Sequence, residues 1–227
     1  MIKLSNRLQS IADEVNMKTM VDIGTDHGFL PVYLWENNIC SKVIMTDVSA
    51  GSLKKAKANC QNFYPDEIFD LRLGNGLEVV SPDEAEIVVM AGIGAPLIAN
   101  IMAKDLAKTI KFKKFILQPR RHENELRKWL DHNHFEIVKD KLVKERNLIC
   151  QVLVVQYNPD YECQNYDYMF PDSILESDLA KEYLEYWITK SKRNLSSAKK
   201  GDNQKSIEKW EKSIDRLNYL RGKLNEI

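Results

Sequence analysis

The first two thirds of the chain alternate between two hydrophobic patterns. Apolar residues recur at helical spacing from residue 4 to residue 15, and Ser5 is placed to cap that helix. Beyond it, short apolar runs predict strands and longer amphipathic segments predict helices. The predicted strands cover residues 20–24, 42–48, 69–73, 86–91 and 114–118, and the predicted helices cover residues 30–38, 52–63, 95–108 and 123–133. This alternation indicates a parallel sheet with helices on both faces.

The last two apolar segments of the sheet differ from the others, because no helix separates them. Residues 135–144 and 148–157 are joined only by the turn Glu145-Arg146-Asn147. A connection this short joins antiparallel strands. We therefore expect an α/β fold whose seven-stranded, Rossmann-like sheet ends in an antiparallel hairpin.

The remainder of the chain changes in composition. Residues 158–173 are rich in Asn, Asp, Tyr and Pro, which is typical of a linker. Two helical segments follow, separated at Gly201 and its polar neighbours. The heptad seam of the second includes Arg221 and the apolar residues Ile207, Trp210, Ile214, Leu217 and Leu224. We expect an α/β domain over residues 1–157, a linker over 158–173 and an antiparallel coiled-coil hairpin over 174–227.

Charge and cysteine content indicate how the chain can attract a partner and which state its thiols are in. The 227 residues carry 33 Lys and Arg against 33 Asp and Glu, so attraction to an anionic partner must come from a local patch. The cysteines form no CxxC pair and have no His spacing typical of zinc, which predicts reduced thiols, mostly in the core, and no metal site. They are Cys40, Cys60, Cys150 and Cys163.

The sequence shows neither a signal peptide at its amino-terminal segment nor a membrane-spanning apolar run. Lys3, Arg7 and Asp13 interrupt any stretch that would resemble a signal peptide. No apolar run is long enough to span a bilayer. We expect a cytoplasmic monomer with no membrane partner.

The turn after the first predicted strand is rich in glycine and acid. It runs from Asp22 through Gly24, Thr25, Asp26 and His27 to the next helix, a variant of the loop that opens nucleotide-binding α/β domains. Asp26 replaces the middle glycine and puts a carboxylate where the pyrophosphate of NAD needs bare backbone. S-adenosylmethionine has no phosphate and carries a sulfonium and an ammonium, so an acidic loop favours it.

Two further signals follow at later strand ends. Asp47 lies about twenty residues after the glycine loop, where an acid can accept hydrogen bonds from both ribose hydroxyls. Gly74-Asn75-Gly76 ends the third strand, where an amide can read the edge of an adenine. Since the carboxyl ends of parallel strands meet at one edge, these residues are expected in one cleft.

The fourth and fifth strands predict the acceptor side of that cleft. Small residues from Ala91 to Gly94 either let a planar base approach or only permit a bend. The fifth strand ends at Gln118, and Arg120 and Arg121 follow it. These arginines and the later Arg127 are either phosphate-binding or a solvated helix face.

In this order of motifs the chain resembles the bacterial tRNA (adenine-22-N1)-methyltransferases over nearly its whole length. The resemblance rests on Leu4-Ser5-x-Arg7-Leu8, DIGTDHGFLP from Asp22 to Pro31, the glycines around Asn75, AGIG from Ala91 to Gly94, ILQP from Ile116 to Pro119, and the helical hairpin. Three positions depart from the family pattern: Asn75 stands for Asp, Ala95 for Gly, and Arg120 for Asn.

The resemblance implies a class I methyltransferase fold, S-adenosylmethionine as cofactor, and methylation of N1 of adenosine 22 in tRNA. The implied cofactor-site residues are Asp22, Gly24, Thr25, Asp26, His27, Asp47, Val48, Gly74, Asn75, Gly76, Ala91 and Gly92. The residues expected to contact the acceptor base or the tRNA are Gly94, Gln118, Arg120, Arg121, Lys192, Arg193, Lys199 and Lys200.

Asp26 is the candidate catalytic residue. Methylation of adenine N1 creates a cation that is relieved by loss of a proton from the 6-amino group, and a carboxylate at that edge orients the amine and accepts the proton. The alternative is that Asp26 only caps the following helix. His27 is either a ligand contact or a packed neighbour.

The helical hairpin is the candidate tRNA-binding part. From Asp178 to Ile227 there are twelve Lys and Arg against eight Asp and Glu, and several lie near the turn at Gly201. Such a cluster contacts phosphate without reading sequence. Packing into a dimer is the alternative role for a coiled coil.

Three other functions remain open at this point. A methyltransferase of this fold can act on a different acceptor, because the cofactor motifs do not encode it. An NAD-dependent dehydrogenase is disfavoured by Asp26 and by the terminal hairpin. A non-catalytic RNA-binding protein with a degenerate nucleotide pocket is the third.

Overall fold

The structure is a computed structural model that describes residues 2–226. It divides into two compact units between Asn165 and Tyr166, inside the stretch predicted as a linker. Met1 and Ile227, which the predicted domains include, lie outside the described residues.

The first unit is built on a seven-stranded sheet. Its strands are β1 (Thr19–Ile23), β2 (Lys42–Asp47), β3 (Asp70–Leu73), β4 (Ile87–Ile93), β5 (Lys114–Pro119), β6 (Phe135–Glu145) and β7 (Leu148–Tyr157). Their order is β3-β2-β1-β4-β5-β7-β6. The first five are parallel, and β7 runs antiparallel to both β5 and β6. The predicted α/β fold with a terminal antiparallel hairpin is confirmed.

Helices cover both faces of this sheet. They are α1 (Asn6–Ala12), α2 (Phe29–Glu36), α3 (Ala50–Phe63), α4 (Ala95–Lys104), α5 (Leu106–Thr109) and α6 (Glu123–His132), with a 3-10 turn at Gly76–Val79. Side chains of β1 alternate between two cores: Val21 and Ile23 pack in one with α4 and α6, and Met20 packs in the other with α1, α2 and α3. Asp22 therefore shares the sheet face that α1 covers.

The ends of two helices follow directly from local chemistry. The Ser5 hydroxyl accepts from the backbone N–H of Leu8 and caps α1, as predicted. The helix predicted over residues 95–108 is wrong in one respect, because it breaks at Asp105. The Asp105 side chain accepts from the N–H of Lys108 and so starts a new short helix.

The second unit consists mainly of α7 (Ala180–Lys200) and α8 (Gln204–Leu224), which pack against each other after a 3-10 turn at Asp172–Glu176. The predicted pair of helices is confirmed, but the seam is partly wrong. Leu217 and Leu220 are buried, whereas Arg221 is exposed. The straight helix has 3.6 residues per turn, so a strict heptad drifts off the buried side. In residues 2–226 no helix is long and apolar enough to cross a bilayer.

Candidate active site

The loop after β1 is tied to the end of β2. The backbone N–H groups of Gly24 and Thr25 both donate to the carbonyl of Thr46, at 2.8 and 3.1 Å. Gly24 and Gly28 have φ of +78° and +71°, a region that favours glycine. The turn is therefore tight, and it places Asp26 and His27 at the carboxyl edge of the sheet.

Asp22 is a buried carboxyl at this edge, only 6% exposed. Burial raises its pKa to about 6; the Thr25 hydroxyl opposes this rise, repulsion from Asp47 adds to it, and the Arg7 guanidinium again opposes it. A carboxyl that is costly to ionise and lies at a ligand-binding edge is a candidate partner for a cationic ligand group.

Asp47, near this carboxyl, is the last residue of β2, and Val48 follows it. Asp47 Oδ1 accepts the N–H of Ser49 at 2.8 Å, which fixes the side chain at the strand end. Val48 is 68% exposed and offers apolar surface next to that carboxylate. A polar acceptor beside an apolar patch suits a nucleoside, whose ribose is polar and whose base stacks.

The glycines around Asn75 have a packing role. A side chain at Gly74 would collide with Val79, and Gly76 has φ of +61° and faces Ile101. Asn75 is exposed, and its Nδ2 donates to Glu78 Oε1 at 3.2 Å. Since its amide nitrogen donates to Glu78, Oδ1 is the group of this side chain that can accept from a ligand amine.

Asp26 and His27 form an exposed pair. His27 Nε2 and Lys55 Nζ of α3 each lie 3.4 Å from the Asp26 carboxylate, which is about half exposed. Asp26 has a positive φ of 45°. The His27 ring stacks on Phe29, with centroids 5.5 Å apart. His27 is thus held between a carboxylate and an aromatic ring, and Asp26 stays open to a ligand.

The carboxyl ends of β4 and β5 are braced by Gln118. This residue is buried; its Oε1 accepts from the Gly92 N–H at 3.0 Å and its Nε2 donates to the Pro119 carbonyl at 2.9 Å. The amide of Gln118 is engaged in holding the two strand ends, and its predicted contact with substrate stays a prediction. Beyond it, nothing lies within 4 Å of a Cβ placed on Gly94, so the approach beside Gly94 is open.

Arg7 is the residue that sequence reasoning missed. Its Nη1 donates to Gln118 Oε1 at 2.9 Å and lies 4.0 Å from the Cβ position of Gly92. Its backbone N–H donates to Glu145 Oε2, which anchors the start of α1 at the end of β6. The only signal was the motif Leu4-Ser5-x-Arg7-Leu8, which the resemblance includes but does not connect with the cleft.

The three arginines after β5 have different surroundings. Arg120 and Arg121 are exposed; the Arg120 N–H donates to the carbonyl of Ile93 at the end of β4, and the Arg121 carbonyl accepts from the N–H of Ala95 at the start of α4. Arg127 is fully buried and pairs with Asp140 at 2.7 Å, so it is neither a solvated residue nor a phosphate ligand. Only the first two remain at the mouth of the cleft.

The basic residues of the helical hairpin that are predicted to bind tRNA all lie on α7. Lys192, Arg193, Lys199 and Lys200 are exposed. Lys199 also pairs with Glu211 of α8 at 3.0 Å. Three of them line an open depression of about 470 Å³ together with Leu195 and Ser196.

Cys40 and Cys60 are buried, as predicted for most of the cysteines, whereas Cys150 is half-buried and Cys163 is exposed. Asp131, His132 and Cys163 place possible metal-ligand atoms within 4.8 Å of one another. However, His132 Nδ1 lies 2.8 Å from the Lys128 carbonyl, a contact that requires a proton on that nitrogen. Asp131 accepts the N–H of Gln164, among other donors, so this group anchors the end of the first unit.

Comparisons with known proteins show the family to which the chain belongs. A family model described as a methyltransferase domain matches residues 4–153. The chain is 28% identical over 229 residues to the tRNA (adenine(22)-N(1))-methyltransferase of Bacillus subtilis (strain 168), covering 97% of this chain and 96% of that protein. It is 33% identical over 160 residues to a candidate tRNA methyltransferase of Mycoplasma pneumoniae, covering 67% and 71%.

This chain is also similar in fold to a solved structure. It is that of a candidate tRNA (m1A22) methyltransferase of Streptococcus pneumoniae in complex with S-adenosyl-L-methionine. The TM-score is 0.83 at 25% identity, and the match covers 96% of this chain and 99% of that one. The likeness therefore includes both units.

Proposed function

Because the chain belongs to the methyltransferase domain family, we propose that it transfers a methyl group from S-adenosylmethionine to N1 of adenosine 22 in tRNA. The observation that carries the proposal is the extent of similarity to the Bacillus subtilis enzyme, which spans 97% of this chain. It thus includes the helical unit, which lies beyond the residues that the family model matches. An NAD-dependent dehydrogenase is not favoured, since the family is that of methyltransferases.

The residues at the sheet edge fit S-adenosylmethionine. Buried Asp22 suits the ammonium of the amino-acid part, and Asp47 suits the ribose hydroxyls. Exposed Val48 suits a face of the adenine, and Asn75 Oδ1 suits its exocyclic amine. S-adenosylmethionine has no phosphate, so the carboxylate of Asp26 in the loop does not hinder its binding.

The Asp47 assignment predicts a specific loss of affinity. Asp47→Ala should weaken S-adenosylmethionine binding more than about tenfold, because two ribose hydroxyls lose a charged acceptor. Titration calorimetry measures this, with the exposed Asp66→Ala as the matched control. Equal affinities for the two variants would remove Asp47 from the site.

We propose that the acceptor base enters by the open approach beside Gly94 and lies opposite the cofactor. When bound, S-adenosylmethionine supplies a methyl group on a sulfonium, which the N1 lone pair of adenine can attack. Small residues at Gly92 and Gly94 let a planar base come close, and N1 must first be unpaired because it lies on the Watson-Crick edge. We infer that Asp26 orients the 6-amino group and accepts the proton released after N1 is methylated.

Asp26→Asn tests this role. We expect kcat to fall roughly a hundredfold or more, with a smaller loss of cofactor affinity, since an amide keeps the shape but neither stabilises the cation nor takes the proton. Single-turnover rates with saturating tRNA measure the effect, and Asp66→Asn serves as the control. A near-normal rate would reduce Asp26 to a binding or loop-forming residue.

We further propose that exposed Arg120 and Arg121 and the basic residues of α7 contact tRNA phosphates. Their charge complements the phosphate backbone, and such contacts position a substrate without reading its sequence. Action on tRNA supports a cytoplasmic location, and we propose a monomer without a metal requirement, because methyl transfer from a sulfonium needs neither a metal nor a second subunit. Transfer of labelled methyl groups to unmodified tRNA tests the proposed function.

A further inference from the structure

The turn between β6 and β7 lies at the tip of an arm that projects past the sheet. β7 pairs with β5 from Leu153 to Val155, and it pairs with β6 as far as the opposed residues Glu145 and Leu148. Since β7 is antiparallel to β5, its first residues lie beyond the carboxyl end of β5. The hairpin tip, residues 144–148, therefore projects at the edge of the sheet where the candidate site lies.

The hairpin tip is close to the approach proposed for the acceptor base. Glu145 Oε2 accepts from the backbone N–H of Arg7 at 2.9 Å, and Arg7 Nη1 donates to Gln118 Oε1 at 2.9 Å. Gln118 Oε1 also accepts from the N–H of Gly92. One arginine residue thus spans the distance between the hairpin tip and the strand end that precedes the open approach at Gly94.

Leu148 gives the hairpin tip an exposed apolar side chain. It is 67% exposed. Side chains alternate along a strand, so Leu148 lies on the same face of β7 as Val152, which packs in the core that α1 covers. A single exposed leucine is common on protein surfaces, but this one projects at the edge where a base would enter.

Arg146 adds a positive charge to the hairpin tip at a position where glycine would fit better. Its φ is 55°, in the left-handed region that favours glycine. The residue is exposed, as is Lys144. The arginine side chain is kept at the expense of backbone strain, which indicates a use for its charge. A basic tip complements a phosphate backbone.

The proposed reaction requires an element of this kind. Adenine N1 lies on the Watson-Crick edge, so the acceptor nucleotide must leave its stack before it is methylated. Unstacking removes contacts with the neighbouring bases. Proteins offset this loss by inserting an apolar side chain such as leucine beside those bases, while basic residues hold the adjoining phosphates.

We propose that Leu148 inserts into the space that the acceptor adenosine leaves and stabilises its unstacked state, while Arg146 contacts an adjoining phosphate. The inference rests on the proposed function for the identity of the substrate. It makes Leu148 a positioning residue, since it contacts the bases beside the acceptor and not the reacting atoms. It gives the terminal antiparallel hairpin a role in substrate binding, in addition to completing the sheet.

The test uses the full chain with S-adenosylhomocysteine and a tRNA transcript that has 2-aminopurine at position 22. The fluorescence of this base rises when it leaves its neighbours. At saturating tRNA, Leu148→Ala should reduce the rise severalfold and should slow single-turnover methylation of an unmodified transcript roughly tenfold, the effect of losing one buried leucine contact. Leu148→Met, which keeps an apolar side chain of similar volume, should retain most of both signals.

Ile68→Ala is the matched control. Ile68 is 99% exposed and precedes β3, at the edge of the sheet opposite the candidate site. This variant should change neither the fluorescence nor the methylation rate. Unchanged affinity for S-adenosylhomocysteine shows that each variant is folded.

Arg146→Gly tests the phosphate contact separately. We expect the KM for tRNA to rise severalfold while Tm stays nearly unchanged, because glycine adopts this φ without strain. An unchanged KM would contradict the contact between Arg146 and tRNA.

Two results for Leu148→Ala would overturn its proposed role. One is a full fluorescence rise with a normal methylation rate. The other is weaker tRNA binding with both signals normal at saturation, which would make the hairpin tip a binding surface only. The outcome is separable from that of the proposed function, because wild-type protein that fails to methylate the transcript would refute that function, whereas equal rates for wild type and Leu148→Ala would refute only the role of Leu148.

Discussion

Asp22→Asn should make the protein more stable and almost unable to bind S-adenosylmethionine. In the folded protein burial raises the pKa of this carboxyl to about 6, against an ordinary value of 3.8. A carboxyl with a raised pKa costs stability when it is ionised, so the cost is complete above about pH 6 and disappears near pH 4. An uncharged amide avoids it, and the gain in unfolding free energy at pH 8 should be up to about 3 kcal/mol.

The same substitution should raise the stability of the protein and lower its affinity for the ligand. The ligand ammonium requires the negative charge of Asp22, which the amide lacks. We expect affinity to fall roughly a hundredfold at pH 8, and wild-type affinity to decline as pH falls below about 6. Thermal unfolding at pH 4 and pH 8, with calorimetry at pH 8, measures both effects. The exposed Asp83→Asn is the matched control and should change neither. A variant that is destabilised at pH 8 while binding normally would contradict this role for Asp22.

Removing the exposed charges of α7 should impair tRNA use and leave the cofactor site intact. In Lys192→Gln/Arg193→Gln/Lys200→Gln we expect the KM for tRNA to rise roughly tenfold or more, because phosphate contacts and their counterion release are lost. The slope of log KM against log salt should decrease by about 2. Affinity for S-adenosylhomocysteine should not change.

The control for this variant removes three charges elsewhere. Lys57, Lys111 and Lys113 are exposed on the first unit, and Lys111 and Lys113 lie at the amino end of β5, opposite the cleft. Replacing them with glutamine should have little effect on the KM for tRNA. If both triple variants raise the KM for tRNA to the same extent, the total charge of the protein accounts for tRNA binding and the assignment to α7 is wrong.

The sequence predicted those features that depend on neighbours along the chain. The glycine-rich turn after β1, in which Gly24 and Gly28 have positive φ, follows from its place after a short apolar strand, and the Ser5 cap follows from its place before an apolar helix face. The antiparallel ending followed from the short turn between the last two strands. Each of these features depends on residues that are close together in the sequence.

The errors at the candidate site concern contacts between distant parts of the chain. Arg7 and Gln118 are 111 positions apart, and no periodicity indicates that a helical arginine reaches the end of β5. In the sequence Arg127 resembles a surface residue. In the fold its charge is neutralised by Asp140 of a later strand. Whether a polar side chain faces a ligand, a partner or solvent is decided by which strands become neighbours, and that requires the folded sheet.

The most direct test of the proposed function is the site of methylation. Purified protein, labelled S-adenosylmethionine and an unmodified tRNA transcript should give 1-methyladenosine at position 22, mapped by nuclease digestion and mass spectrometry. A transcript with guanosine at that position should accept no label. Methylation at another nucleotide, equal labelling of both transcripts, or no labelling by protein that binds S-adenosylhomocysteine would contradict the account.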